Sequence, residues 1–143
     1  MSHVIDASAL ILMLRGEPGS DQVAAALPGA RIGVLSLAEA ALHFAGLGMP
    51  LGEIDLMLRP LPVQRVAVDQ QLAWGAAELG AGESGMEVSL AALVAVALAA
   101  EARLPLLTAD PLAIAAGVRV GVEIVALAHP EADQSVRDAG DLT

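Results

Sequence analysis

Short apolar runs alternate along the chain with segments whose apolar residues recur every three or four positions, so strand and helix are expected in turn. The first run lies in His3-Val4-Ile5-Asp6-Ala7-Ser8-Ala9-Leu10-Ile11: Val4 and Ile5 suit a buried strand, and Asp6 and Ser8 suit the turn and helix N-cap behind it. A short helix is predicted over Ala9–Arg15, stopped by Gly16 and Pro18, and a second from the Ser20-Asp21 cap to about Leu27, ended by Pro28-Gly29. Arg31–Leu35 reads as the next strand and Leu37–Leu47 as a helix closed by Gly46 and Gly48. Leu51–Leu58 is a further helix with Glu53 in its first turn, near the positive end of the helix dipole. Pro60 and Pro62 set it apart from a strand over Val63–Val68, and Asp69 caps a helix to about Leu79.

A Gly-rich connection over 80–85 leads to Ser89, which caps the most apolar helix, Leu90–Arg103. Leu104–Thr108 is a strand ending at Ala109-Asp110, Pro111 opens a short helix to Ala116, and Val120–Leu127 contains the last strand. The pattern predicts one α/β domain over residues 1–128, a mainly parallel sheet covered by helices on both faces. A polar, acidic tail follows over 129–143, expected to lie on the surface or to be disordered.

Composition narrows the chemistry. The chain is 56% hydrophobic but only 1% aromatic, so Ala, Leu and Val must build the core, and the absence of cysteine excludes disulfides and thiolate metal sites. Neither a secretory signal nor a membrane span is visible: the longest apolar run, Leu90–Ala100, is well short of the ~18–20 residues a span needs. The expected setting is therefore cytoplasmic, with no membrane partner. The net charge is −10 and all seven basic residues are arginines, scattered rather than clustered, so no phosphate-gripping basic patch is evident in the sequence. The missing lysine rules out Walker A and Schiff-base chemistry.

Two strands end in an aspartate, Val4-Ile5-Asp6 and Leu107-Thr108-Ala109-Asp110. Parallel strands present their carboxyl ends on one edge, where open α/β sheets bind ligands, so Asp6 and Asp110 can converge. Glu39 adds a third acid behind the second strand. Its plain alternative is a capping box with Ser36, as Asp6 is alternatively a helix cap. Three acids on one edge repel one another unless a cation neutralises them, and hard ions such as Mg²⁺ or Mn²⁺ take carboxylates and water without His or Cys. Dispersed His3, His43 and His129 argue against zinc. Trp74 and Phe44 are expected to pack on apolar helix faces, and the methionines to fill core or interface gaps. Arg15 is a candidate contact for a phosphate or carboxylate of some partner, or an ordinary surface residue.

With these pieces assembled, the chain resembles the PIN-domain family, and in size and layout the VapC-type toxins of bacterial toxin–antitoxin pairs. The resemblance spans about residues 3–127. It is carried by Val4-Ile5-Asp6-Ala7-Ser8-Ala9-Leu10 with Gly16-Glu17-Pro18-Gly19, by Leu35-Ser36-Leu37-Ala38-Glu39, by Ser89-Leu90-Ala91-Ala92, and by Leu104-Pro105-Leu106-Leu107-Thr108-Ala109-Asp110. It implies a three-layer α/β/α fold and a Mg²⁺- or Mn²⁺-dependent endoribonuclease acting on RNA. It further implies a homodimer, with higher assembly alongside a cognate antitoxin whose tail occupies the acidic groove. Asp6, Glu39 and Asp110 match three of the family's acids, and Ser8 and Thr108 would be the hydroxyls that orient a carboxylate or water.

The chain departs from the family at Ala92, where relatives carry an aspartate, and impaired activity is the expectation. Glu87 is a poor candidate to replace that acid. A second departure is the Gly-rich connection, which lacks the basic residue relatives often place there. Two other readings compete: an inert PIN-like module that docks an antitoxin or regulatory partner, and a phosphoacceptor at Asp6. The last lacks both the second Asp two residues on (Ser8 is there) and the lysine such sites use.

Overall fold

The computed structural model describes residues 2–82 and 87–127. Five short parallel strands, β1 (Val4–Ile5), β2 (Arg31–Gly33), β3 (Gln64–Val66), β4 (Leu106–Thr108) and β5 (Ile124–Ala126), form one sheet in the order β3-β2-β1-β4-β5. The helices are α1 (Ala7–Leu14), α2 (Ser20–Ala26), α3 (Val34–Gly46), α4 (Leu51–Leu58), α5 (Gln70–Ala81), α6 (Leu90–Ala102) and α7 (Pro111–Arg119). β1 is central. The chain steps outward from it through β2 to β3, then returns to its other side for β4 and β5. The strand order therefore reverses between β1 and β4, and a crevice opens at such a switch point.

The pleat divides the core in two. Val4 and Leu106 face a cluster built on α6 with Leu72, Ala76 and Leu79 of α5 and Ala113 and Ala116 of α7. Ile5, Ile32 and Leu107 face the other side, against Leu10 and Leu12 of α1, Val23 of α2 and Ala40 of α3. Successive strand residues thus feed opposite layers, giving the expected three-layer α/β/α arrangement. α6 is buried over Ala91–Ala99, with small side chains on all sides. Burial round the whole helix is why its sequence shows no polar face. No helix among the described residues is long and apolar enough to cross a membrane.

Several local expectations are corrected. β2 ends at Gly33 and α3 begins at Val34, so Val34 and Leu35, strand-like by composition, are helical and Ser36 is no cap. β2 pairs with β3 over Arg31–Gly33, and beyond Gly33 no partner strand continues to hold the chain extended. α7 runs through Gly117 to Arg119 instead of stopping at Ala116. A Cβ on Gly117 would lie 2.7 Å from Ile124 Cδ1, so this glycine lets α7 approach β5 closely rather than ending the helix. Gly19, with φ of 101°, is the N-cap of α2 in place of Ser20. Gly80 and Ala81 of the expected Gly-rich connection belong to α5; residues 83–86 and the tail over 129–143 lie outside the described residues. Phe44 is buried as expected, whereas Trp74 is 68% exposed and is not a core residue.

Arg103 ends α6 in the left-handed region, with φ 55° and ψ 44°, the conformation in which glycine relieves the crowding of a Cβ. Arg103→Gly is expected to stabilise the fold by about 0.5–1 kcal/mol, read as a raised denaturation midpoint with an unchanged slope.

Candidate active site

Strand register creates the site. Val4 pairs with Leu106 and Ile5 with Leu107, so Asp6 and Thr108 follow as neighbours where the two central strands end. Asp6 caps α1, its Oδ1 accepting from the Ala9 backbone N–H at 3.0 Å and from the Ser8 hydroxyl at 2.6 Å. The Thr108 hydroxyl donates to Oδ2 of the same carboxylate. Each hydroxyl also accepts a backbone N–H, from Ala109 at 2.9 Å for Ser8 and from Asp110 at 3.0 Å for Thr108. Ser8 and Thr108 have one proton each, and both are spent on Asp6, so their mutual 3.1 Å approach adds no further donor. Two segments about a hundred residues apart are thereby tied through one carboxylate.

Asp110 caps α7, its Oδ1 accepting from the Leu112 N–H at 2.9 Å, with Pro111 in the first turn where no N–H is needed. Ser89 caps α6, accepting from the Ala92 N–H at 3.1 Å and donating to Oε2 of Glu39 at 3.3 Å. Glu39 therefore reaches across from α3 to the start of α6 rather than closing a capping box. Ser36, its expected partner in that box, is buried with no hydrogen-bond partner for its hydroxyl.

All these groups line one cleft of about 230 Å³. Asp6, Ala7, Ser8 and Ile11 come from the β1–α1 junction, Ala109, Asp110 and Pro111 from the β4–α7 junction, and Glu39, Ser89 and Ala92 close it. The three acids expected to converge do so, with Ser8 beside them and Thr108 beneath Asp6. Ala92 stands in the wall. Glu87 does not line the cleft. Ser89, which holds Glu39, was expected only as a helix cap; its contact joins residues fifty positions apart, beyond local pattern. α1, α6 and α7 all direct their N-terminal ends here, and partial positive charge at those ends favours carboxylates and other anions.

The donors are oxygens only, which suits a hard divalent cation. Among the described residues no three or more His, Cys, Asp or Glu side chains form a group able to hold a metal ion. Mg²⁺ often keeps several waters and takes only one or two protein carboxylates, so the all-oxygen lining of the cleft fits a cation of that kind.

Burial pushes the Asp6 carboxyl above its ordinary value of 3.8; the hydrogen bonds from Ser8, Thr108 and Ala9 pull it back, and the Asp110 charge raises it further. The folded chain thus holds this proton more tightly than the unfolded chain. The resulting stabilisation is full below the ordinary carboxylate value and is lost as pH rises through the folded one.

The sequence matches the PIN domain family over residues 3–116. The fold is similar to that of the sarcin-ricin loop cleaving toxin VapC20 of Mycobacterium tuberculosis, at 17% identity and a TM-score of 0.69, covering 81% of this chain and 95% of that one. It is also similar to a member of the VapBC toxin–antitoxin family, VapBC-5 of M. tuberculosis, at 22% identity and a TM-score of 0.57, covering 88% and 98%. A toxin–antitoxin complex from Klebsiella pneumoniae aligns at 19% identity and a TM-score of 0.61, covering 76% and 87%. At these identities the likeness shows the fold. The comparison with curated proteins returned no match.

Asp6→Asn keeps an acceptor for the Ala9 N–H and removes the buried charge. It is expected to raise stability at pH 7 by about 1 kcal/mol, with the gain shrinking toward pH 4, as measured by denaturant titrations across pH. Thr108→Val removes a donor to that carboxylate and strands the Asp110 N–H; a loss of about 2–3 kcal/mol is expected in the same measurement.

Proposed function

The chain belongs to the PIN domain family, and from that premise we propose that it is the toxin half of a toxin–antitoxin pair, a metal-dependent endoribonuclease with an impaired site. The observation that carries this reading is the convergence of Asp6, Glu39 and Asp110 on one cleft at the switch point of a parallel sheet. The proteins of similar fold, a VapC20 toxin, a VapBC-family member and a toxin–antitoxin complex, support it. In this reading Asp6 and Asp110, with Glu39 next, would hold Mg²⁺ or Mn²⁺. Such an ion supplies charge neutralisation at a phosphodiester and acidity toward a water.

The remaining work falls to the protein. Ser8 and Thr108 fix the Asp6 carboxylate in one orientation by spending their protons on it. Ser89 holds Glu39 toward the cleft and leaves the start of α6 open to a substrate phosphate. Ala92 removes one carboxylate from the wall, which lowers the negative charge that attracts a cation and relieves repulsion among the other acids. A cognate antitoxin, and a second copy of the chain, are assigned as partners. Exposed Leu42, Leu47, Leu51 and Leu56 on and between α3 and α4 supply apolar surface for such contacts.

The absence of a three-ligand group among the described residues favours a second reading, an inert module that uses the fold to dock a partner. RNA cleavage separates the two. With Mg²⁺ and a panel of structured RNAs, Ala92→Asp is expected to raise cleavage by about ten- to a hundredfold over the unaltered chain, the range that supporting partners contribute in metal sites, and adding Asp6→Ala should abolish the gain. If neither Ala92→Asp nor the unaltered chain cuts, the nuclease reading fails and the cleft is a docking surface.

A further inference from the structure

Arg15 and His43 meet on the side of the cleft, on two helices whose preceding turns line it. Ile11 and Glu39 both line the cleft, and Arg15 and His43 follow them by four residues each, just over one helical turn or about 6 Å further along. Arg15 Nη1 lies 3.2 Å from His43 Nε2. A guanidinium only donates, so Nε2 accepts and the ring proton sits on Nδ1. His43 is braced edge-on against the buried Phe44, with ring centroids 5.2 Å apart. Arg15 Nε pairs with Glu17 at 3.2 Å, and the Arg15 side chain remains 44% exposed.

The other described arginines stand elsewhere. Arg31 starts β2, while Arg103 follows the end of α6 and Arg119 is the last residue of α7, all three on the amino side of the strands. Arg59 pairs with Asp55, and Arg65 donates to carbonyls at the end of α4. In a chain of net charge −10, Arg15 is thus the described arginine that follows a cleft-lining turn, four residues beyond Ile11.

We propose that Arg15 and His43 form a binding site for a backbone phosphate of single-stranded RNA, one step along the strand from the cleft, and that Glu17 competes with that phosphate for the guanidinium. This deepens the nuclease reading and rests on it. A phosphate oxygen can accept from the guanidinium N–H groups that neither partner takes, with His43 Nε2 accepting from Nη1 to hold the guanidinium in place and Glu17 accepting from Nε. Arg15 is here a substrate-positioning residue.

The test is binding of a fluorescent single-stranded RNA oligonucleotide to the full chain without divalent ions, titrated over a range of salt. Arg15→Ala is expected to weaken binding roughly three- to tenfold and to reduce the slope of log affinity against log salt by about 0.7, the value for one phosphate contact on a single strand. Glu17→Gln should tighten binding, while Glu101→Gln, the same charge change at the far end of α6, should do so much less. A merely structural Arg15 predicts no gain from Glu17→Gln. If the unaltered chain binds RNA and neither Arg15→Ala nor Glu17→Gln moves affinity or slope, the phosphate site is overturned and the nuclease reading stands. If the unaltered chain binds no RNA, the nuclease reading fails and the site falls with it.

Discussion

The carboxylate of Asp6 sits almost fully buried at the end of the central strand and accepts three hydrogen bonds, from Ser8, Ala9 and Thr108. A charge in that position is costly unless its oxygens are occupied, and here the occupants come from two strand ends that are adjacent only in the folded chain. Folding therefore has to bring β4 beside β1 in one register before the carboxylate is satisfied. Once it is, Ser8 and Thr108 receive the backbone N–H groups of Ala109 and Asp110, so the start of α7 is set by the same hydroxyls that set α1. Asp110 and Asp6 are thereby held as neighbours although their charges oppose it. The site carries electrostatic strain that the hydrogen bonds offset, the usual relation between a functional cleft and the stability of its scaffold.

The wall opposite this pair is made by α6. Its apolar residues let it be buried on all sides, against the sheet and against α3, α5 and α7, and its N-terminus reaches the cleft with Ser89 as the polar group that contacts Glu39. Ala92, in the first turn, presents a methyl group to the cleft wall. Ala92 is itself buried and belongs to the core cluster around α6, so this position joins the cleft wall to the packing beneath it.

Much of this was legible in the sequence because it depends on local signals. Each strand that ends in an acid, Ile5-Asp6 and Thr108-Ala109-Asp110, carries its own cap, and parallel topology alone brings such ends to one edge. Ser89, Asp69 and Pro111 mark helix starts that the structure reproduces. What escaped depends on contacts between distant segments. Gly117 resembles a helix stop, but it marks the close passage of α7 over Ile124. Ser36 and Glu39 have the spacing of a capping box, yet β2 loses its partner strand at Gly33 and the helix starts early. Trp74 lies on an apolar helix but on its exposed side, and the partnership of Arg15 with His43 joins two helices that share no sequence pattern.

The claim on which the account turns is that the cleft beside Asp6 takes a hard cation through Asp110 and Glu39. Anomalous diffraction from crystals grown with Mn²⁺ tests it directly. One anomalous peak is expected within ligand distance of the Asp110 and Glu39 carboxylates, lost in Asp110→Asn crystals. A featureless cleft at saturating Mn²⁺, or a peak confined to surface acids elsewhere, would contradict it.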